Sequence, residues 1–154
     1  MTPNSYFNKC AEIENEVSEL YSKLSVALKD YPDTSMLFSQ IAQEEVIHNN
    51  AMRMVARIVL NMDEAIEVDN RAEELAEKIK ATILKLKESL DSGKKITPKK
   101  ALEIAIALES NILETHSPSL TKHDSPQLSK TLSTLVTDSF RHKNLFSEEL
   151  IKFR

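Results

Sequence analysis

The chain has 154 residues, 41% apolar and 29% charged, with a formal net charge of -4, which suits one soluble globular domain and excludes a disordered or membrane-spanning chain. Gly93 is the single glycine, which argues against phosphate-cradling loops, dinucleotide fingerprints and most β architectures. The lone Cys10 excludes an intrachain disulfide and any cysteine-only metal site, and an isoelectric point near 5.6 gives no electrostatic footprint for nucleic acid. Residues 1–16 lack the basic start and apolar run of a secretory signal, so a cytoplasmic protein is expected. The most apolar stretch, Met52 to Leu60, is interrupted by Arg53 and Arg57 and is too short to cross a membrane.

Helix-period spacing dominates. The first helix is expected from about Asn4 to Asp30, ending before Pro32 because a residue preceding proline disfavours the helical region. Asp33 or Thr34 can cap a second helix, which nothing interrupts until about Asn61. After an irregular stretch around Asp63 to Asp69, Ala72, Leu75, Ala76, Ile79, Ile83, Leu86 and Leu90 form one apolar stripe on a charged helix ended by Ser92-Gly93. Thr97-Pro98 opens the next helix, which reaches about His116. A loop from Ser117 to Ser125 leads to a last helix opened by Pro126. The result is four long helices with an additional amphipathic helix between the second and third. That extra helix is long enough to carry the chain from one end of a bundle to the other, so the expected fold is all-α, a ferritin-like four-helix bundle with a helical crossover. The crossover is heavily charged, with fifteen of the thirty-two residues from Asp69 to Lys100 ionisable, and its apolar stripe must be covered by the bundle or by a second copy in a homodimer. The methionines at 52, 54 and 62 read as core packing.

Ionisable residues interrupt the apolar stripes. The first helix reads Cys10, Glu14, Val17, Tyr21, Leu24, Leu28, and the second Phe38, Ile41, Glu45, His48, Met52, Val55, Val59. The next long helix reads Leu102, Ala105, Glu109, Ile112, His116, and the last Leu132, Leu135, Ser139, His142, Phe146. A buried carboxylate protonates, pairs or binds a cation, and three glutamates at one level need a counter-charge. Glu45 and His48 stand three apart on one face, the Glu-x-x-His spacing that lets a carboxylate bridge two metals while the imidazole ligates one. Such a carboxylate shell with imidazole suits iron or manganese. The two halves also repeat: Glu14 to His48 spans 34 residues and Glu109 to His142 spans 33, placing two helix hairpins about a pseudo-two-fold axis. The bland alternative is a metal-free cluster in which three glutamates and two protonated histidines nearly neutralise one another. A single buried histidine such as His116, or Cys10 alone, is more often structural than functional, and Arg141 and Lys143 beside His142 fit a solvated face.

The chain resembles the rubrerythrin branch of the ferritin-like superfamily. The resemblance rests on Ala-Glu-Ile-Glu-Asn-Glu-Val-Ser-Glu-Leu-Tyr at 11–21, Phe-Ser-Gln-Ile-Ala-Gln-Glu-Glu-Val-Ile-His at 38–48 and Ala-Leu-Glu-Ile-Ala-Ile-Ala-Leu-Glu-Ser at 101–110, and covers the four long helices without the crossover. It implies a di-iron carboxylate protein that reduces peroxide or oxidises ferrous iron, with Glu14, Glu45, His48, Glu109 and His142 at ligand positions. Where a second Glu-x-x-His would stand, this chain has Ser139-Phe140-Arg141-His142, so one bridging carboxylate is replaced, and Asp138 lies roughly 100° around the helix from that position. His116 occupies the place of Tyr21 in the second repeat and is open to three readings: ligand, hydrogen-bonding support, or neither. No Cys-x-x-Cys pairs follow the bundle, so residues 1–154 are expected to form one ferritin-like domain without a rubredoxin-like domain, taking electrons from an external donor protein. The alternative function is a ferritin-like module without redox turnover, acting as a metal-binding or purely helical partner protein.

Overall fold

The computed structural model of the protein describes residues 2–62, 66–116, 121–122 and 124–154. Five α-helices account for most of them: α1 (Pro3–Ala27), α2 (Pro32–Leu60), α3 (Asn70–Asp91), α4 (Pro98–Thr115) and α5 (Pro126–Leu150), the last followed by a 3-10 turn at Ile151–Phe153. Proline opens four of the helices, where its missing N–H is one the helix could not have bonded anyway. Thr2, Thr97 and Ser125 supply side-chain caps ahead of those prolines and Asp69 caps α3, each worth about 1 kcal/mol. The start of α2 differs from expectation. Neither Asp33 nor Thr34 caps it; the helix begins at Pro32 behind an uncapped Tyr31, and the Thr34 hydroxyl donates instead to Glu149 of α5 at 2.8 Å.

Helices α1 and α2 form one hairpin, α4 and α5 the other, and α2 lies against α5. This is the all-α, ferritin-like arrangement, with α3 in the long connection. Gly93 ends α3 with φ of 84°, a left-handed conformation that side chains disfavour, while Gly93 N–H bonds to Leu90 O and Lys94 N–H to Ser89 O. The apolar stripe of α3 is covered within the chain: Ala72, Ala76, Ile79 and Ile83 are buried, and the helix packs on α1 and α4. Along the α1–α3 seam run Lys80–Glu12 at 2.9 Å, Lys87–Glu16 at 2.6 Å and Lys23–Asp91 at 2.6 Å, with Lys9–Glu77 and Lys87–Glu19 also paired. Half-exposed pairs of this kind contribute about 0.2–1 kcal/mol each, whereas burying one isoleucine contributes about 1.5–3 kcal/mol, so the apolar stripe holds α3 in place and the charges set its register.

The expected irregular stretch after α2 and the loop after α4 fall partly outside the described residues. Their described parts pair as a two-residue antiparallel ladder, β1 (Glu67–Val68) with β2 (Thr121–Lys122). Of the methionines, Met52 is fully buried and Met62 partly so, but Met54 is 59% exposed and takes no part in the core. Cys10 is buried, and burial pushes its thiol up to about 12, leaving it unreactive. Among the described residues no helix is long and apolar enough to cross a membrane.

Candidate metal centre

All five expected ligand positions face the interior. Glu14 of α1, Glu45 and His48 of α2, Glu109 of α4 and His142 of α5 are each buried, together with Ser139 and His116. Glu45 is the hub. Its Oε2 lies 3.0 Å from His48 Nδ1 and its Oε1 2.8 Å from His142 Nδ1, and the two imidazoles stack with centroids 5.3 Å apart. One ligand atom from each of Glu45, His48 and His142 falls within 4.8 Å of the other two, a spacing that one cation could span. Glu109 Oε1 is 3.8 Å from His142 Nδ1 and accepts a hydrogen bond from the Tyr21 hydroxyl at 2.8 Å. The Tyr21 ring is anchored in turn against Phe38 and Phe146. Glu14 lies beside Glu45, and its Oε1 is 3.2 Å from His116 Nε2.

Two further residues complete the geometry. His48 Nε2 is 3.2 Å from Asp138 Oδ2 on α5, and His142 Nε2 is 2.7 Å from Glu44 Oε2 on α2, which also pairs with Arg141. Carboxylates accept, so a neutral imidazole whose Nε2 donates to its outer carboxylate turns the Nδ1 lone pair toward Glu45, and only a protonated one donates on both sides. This is the arrangement by which outer carboxylates fix the tautomer of a metal-ligating histidine. Sequence reasoning passed over Glu44 and placed Asp138 off the bridging position without seeing its role at His48, although each stands immediately before a bridging position, Glu44 before Glu45 and Asp138 before Ser139. Asp138 does not replace the missing bridging carboxylate; it serves the imidazole of the opposite hairpin. Arg141 does not mark a solvated face at His142, because the imidazole is buried and the guanidinium binds Glu44 outside it.

The electrostatics of the metal-free state describe a site that stores protons. Burial, reinforced by the neighbouring Glu45, pushes the Glu14 and Glu109 carboxyls well above the usual carboxylate range. Burial would also raise Glu45, but the His142 and His48 imidazoles on either side of it outweigh that and hold the carboxyl well below the range. Burial would lower His48, yet Glu45 and Asp138 raise it. His116 is pushed down to about 4 by burial and by His48. Even so, buried polar atoms remain without a hydrogen-bond partner: both oxygens of Glu14, Glu45 Oε1, Glu109 Oε2, both nitrogens of His116, Ser139 Oγ and His142 Nδ1. Buried polar groups are rarely left unpaired, and a cluster of orphaned carboxylate oxygens and imidazole nitrogens fits a divalent cation.

The wider comparison agrees with this geometry. No curated protein and no solved structure matches the chain. The family model of rubrerythrin matches residues 7–150, which span all four bundle helices, the crossover and every residue of the cluster. The chain therefore belongs to the rubrerythrin family.

Proposed function

We propose that the protein is a two-metal carboxylate oxidoreductase that reduces peroxide or oxidises ferrous iron, with iron or manganese held by Glu14, Glu45, His48, Glu109 and His142. The observation that carries this reading is the orientation of the two imidazoles. Each has its outer nitrogen held by a carboxylate of the opposite hairpin and its inner nitrogen aimed at one oxygen of Glu45. With neutral imidazoles the inner lone pairs meet a carboxylate, a repulsive contact that a proton or a cation must relieve.

Bound iron would supply Lewis acidity and one-electron redox chemistry. The chain's own residues prepare for it. Glu14 and Glu109 hold protons that binding would displace, and Tyr21 keeps Glu109 oriented through its hydroxyl. Reduction of hydrogen peroxide to two waters consumes two protons and two electrons. The electrons are assigned to an external donor protein.

The second reading is a ferritin-like module without redox turnover, favoured by Ser139, whose buried hydroxyl replaces a bridging carboxylate. Anaerobic purification with elemental analysis, followed by stopped-flow mixing with peroxide, separates the two. Iron or manganese in the protein and its oxidation by peroxide are expected. Metal bound without reaction favours the second reading. No metal after growth in excess iron, together with thermal melts unchanged by ferrous or manganous ions, overturns metal binding altogether.

A further inference from the structure

The pseudo-two-fold axis relates Tyr21 to His116, each seven residues after its helix's glutamate. The two reach across the bundle in the same way, Tyr21 to Glu109 of the other hairpin and His116 to Glu14. They differ in what they bring. The Tyr21 hydroxyl donates a well-formed hydrogen bond, whereas the His116 Nε2 to Glu14 Oε1 approach of 3.2 Å is not a hydrogen bond in its geometry, and all four of the nitrogens and oxygens concerned lack partners. An imidazole and a carboxylate this close, fully buried, with nothing donated between them, have the separation of two ligands on one cation. Bonds of about 2.1 Å put adjacent ligands about 3.0 Å apart in an octahedron and about 3.4 Å apart in a tetrahedron. The neighbouring Glu45–His142 contact, 2.8 Å and likewise without hydrogen-bond geometry, shows the same pattern.

We infer that His116 is a metal ligand of this centre, binding the same cation as Glu14 and restoring the ligand number lost at Ser139. The inference rests on the metal-binding reading above. It makes the centre one of three carboxylates and three imidazoles, so its ligand charge is one unit less negative than with a fourth glutamate at 139. Nitrogen ligation of this kind favours ferrous and zinc ions over manganous ions, because imidazole is a softer ligand than carboxylate.

Zinc is a diamagnetic probe of this arrangement. The full-length protein, labelled with nitrogen-15 in its four histidines, is titrated with zinc and the ring nitrogens are followed by NMR. The expected result is a ligation shift at one ring nitrogen of His116 together with Nδ1 of His48 and of His142. A shift at His48 and His142 alone overturns the inference and leaves the metal-binding reading intact, whereas no zinc binding overturns both. His116→Gln is expected to lower zinc affinity at least tenfold and to lower manganous affinity less. His116→Tyr, which can donate to Glu14 as Tyr21 does to Glu109, is not expected to rescue it. Full rescue by the tyrosine variant overturns ligation in favour of a positioning role. If either variant fails to fold, the wild-type spectra decide alone.

Discussion

The protons stored in the metal-free centre have a measurable consequence for stability. Glu14 and Glu109 have raised values in the folded protein, so above about pH 4.5 they keep protons that the unfolded chain releases, and stability falls as pH rises. His116 acts in the opposite sense between about 4 and 6.5, where the unfolded chain is protonated and the folded chain is not. His48, raised when folded, contributes stability that is fully present below about 6.5 and is lost as pH climbs through its folded value. Between pH 5 and 6.5 the protons kept by Glu14 and Glu109 are partly offset by the deficit at His116, so stability falls only gently there. Above pH 6.5 the unfolded chain also releases the His48 proton while His116 is neutral in both states, so the fall steepens. Glu44 and Glu45, both depressed, are ionised in folded and unfolded chains throughout this window and add no slope. Each proton that the fold keeps and the unfolded chain releases contributes a slope of about -1.4 kcal/mol per pH unit. The sequence lacks tryptophan, so urea unfolding of chelator-treated protein is best followed by helical circular dichroism. Manganous ion at a hundred times its dissociation constant should add about 2.7 kcal/mol, and its affinity should increase with pH because binding displaces protons. Metal-free stability that is flat or rising from pH 5 to 7.5 would show that Glu14 and Glu109 are ionised in the fold, and the stored-proton account would be wrong.

Three further outcomes are expected. Ser139→Glu should tighten the second metal and speed peroxide-dependent oxidation, while costing the metal-free protein about 1–3 kcal/mol through another buried, unpaired carboxyl; equal calorimetric affinities and equal rates in both forms would show that Ser139 limits nothing. Glu44→Ala and Asp138→Ala should each weaken metal binding about 10–100-fold, measured by chelator competition, because each frees one imidazole to change tautomer; a change below about twofold in both would remove their orienting role. Tyr21→Phe should destabilise the metal-free protein by about 1–3 kcal/mol in urea, since Glu109 loses its buried donor, and a difference under about 0.5 kcal/mol would mean that the hydroxyl is not bonded there.

How much of this was legible in the sequence follows from which contacts are local. Helix starts at Pro98 and Pro126 could be read because capping depends on adjacent residues, and Glu14, Glu45, His48, Glu109 and His142 could be found because each interrupts an apolar stripe. Thr34 misled because its hydroxyl has a partner 115 positions away, on Glu149, that no local pattern reveals. The pairing of Glu67 with Lys122 was hidden for the same reason. Glu44 and Asp138 lie off the stripes, and their side chains reach the histidines only because α2 and α5 pack together. The repeat held the missed signal, an acid preceding the bridging position in both hairpins.

That symmetry also locates the effect of Ser139. Every other position of the centre has its counterpart: Glu14 with Glu109, Tyr21 with His116, His48 with His142, Glu44 with Asp138. The geometry survives the break because Glu45 offers one oxygen to each imidazole, so a single carboxylate still spans the two ligand sets. What the substitution removes is charge. Two divalent cations would bring four positive charges to a centre with three carboxylates, and the acids nearest the deficit, Glu44 and Asp138, are held at the outer nitrogens of the histidines and cannot move inward without releasing them. A first cation would therefore be bound by the full complement of buried carboxylates and a second against a residual positive charge. Stepwise affinities, with a strong first site and a weaker second, are the form that metal binding should take in this chain, and two equal sites in calorimetry would contradict that order.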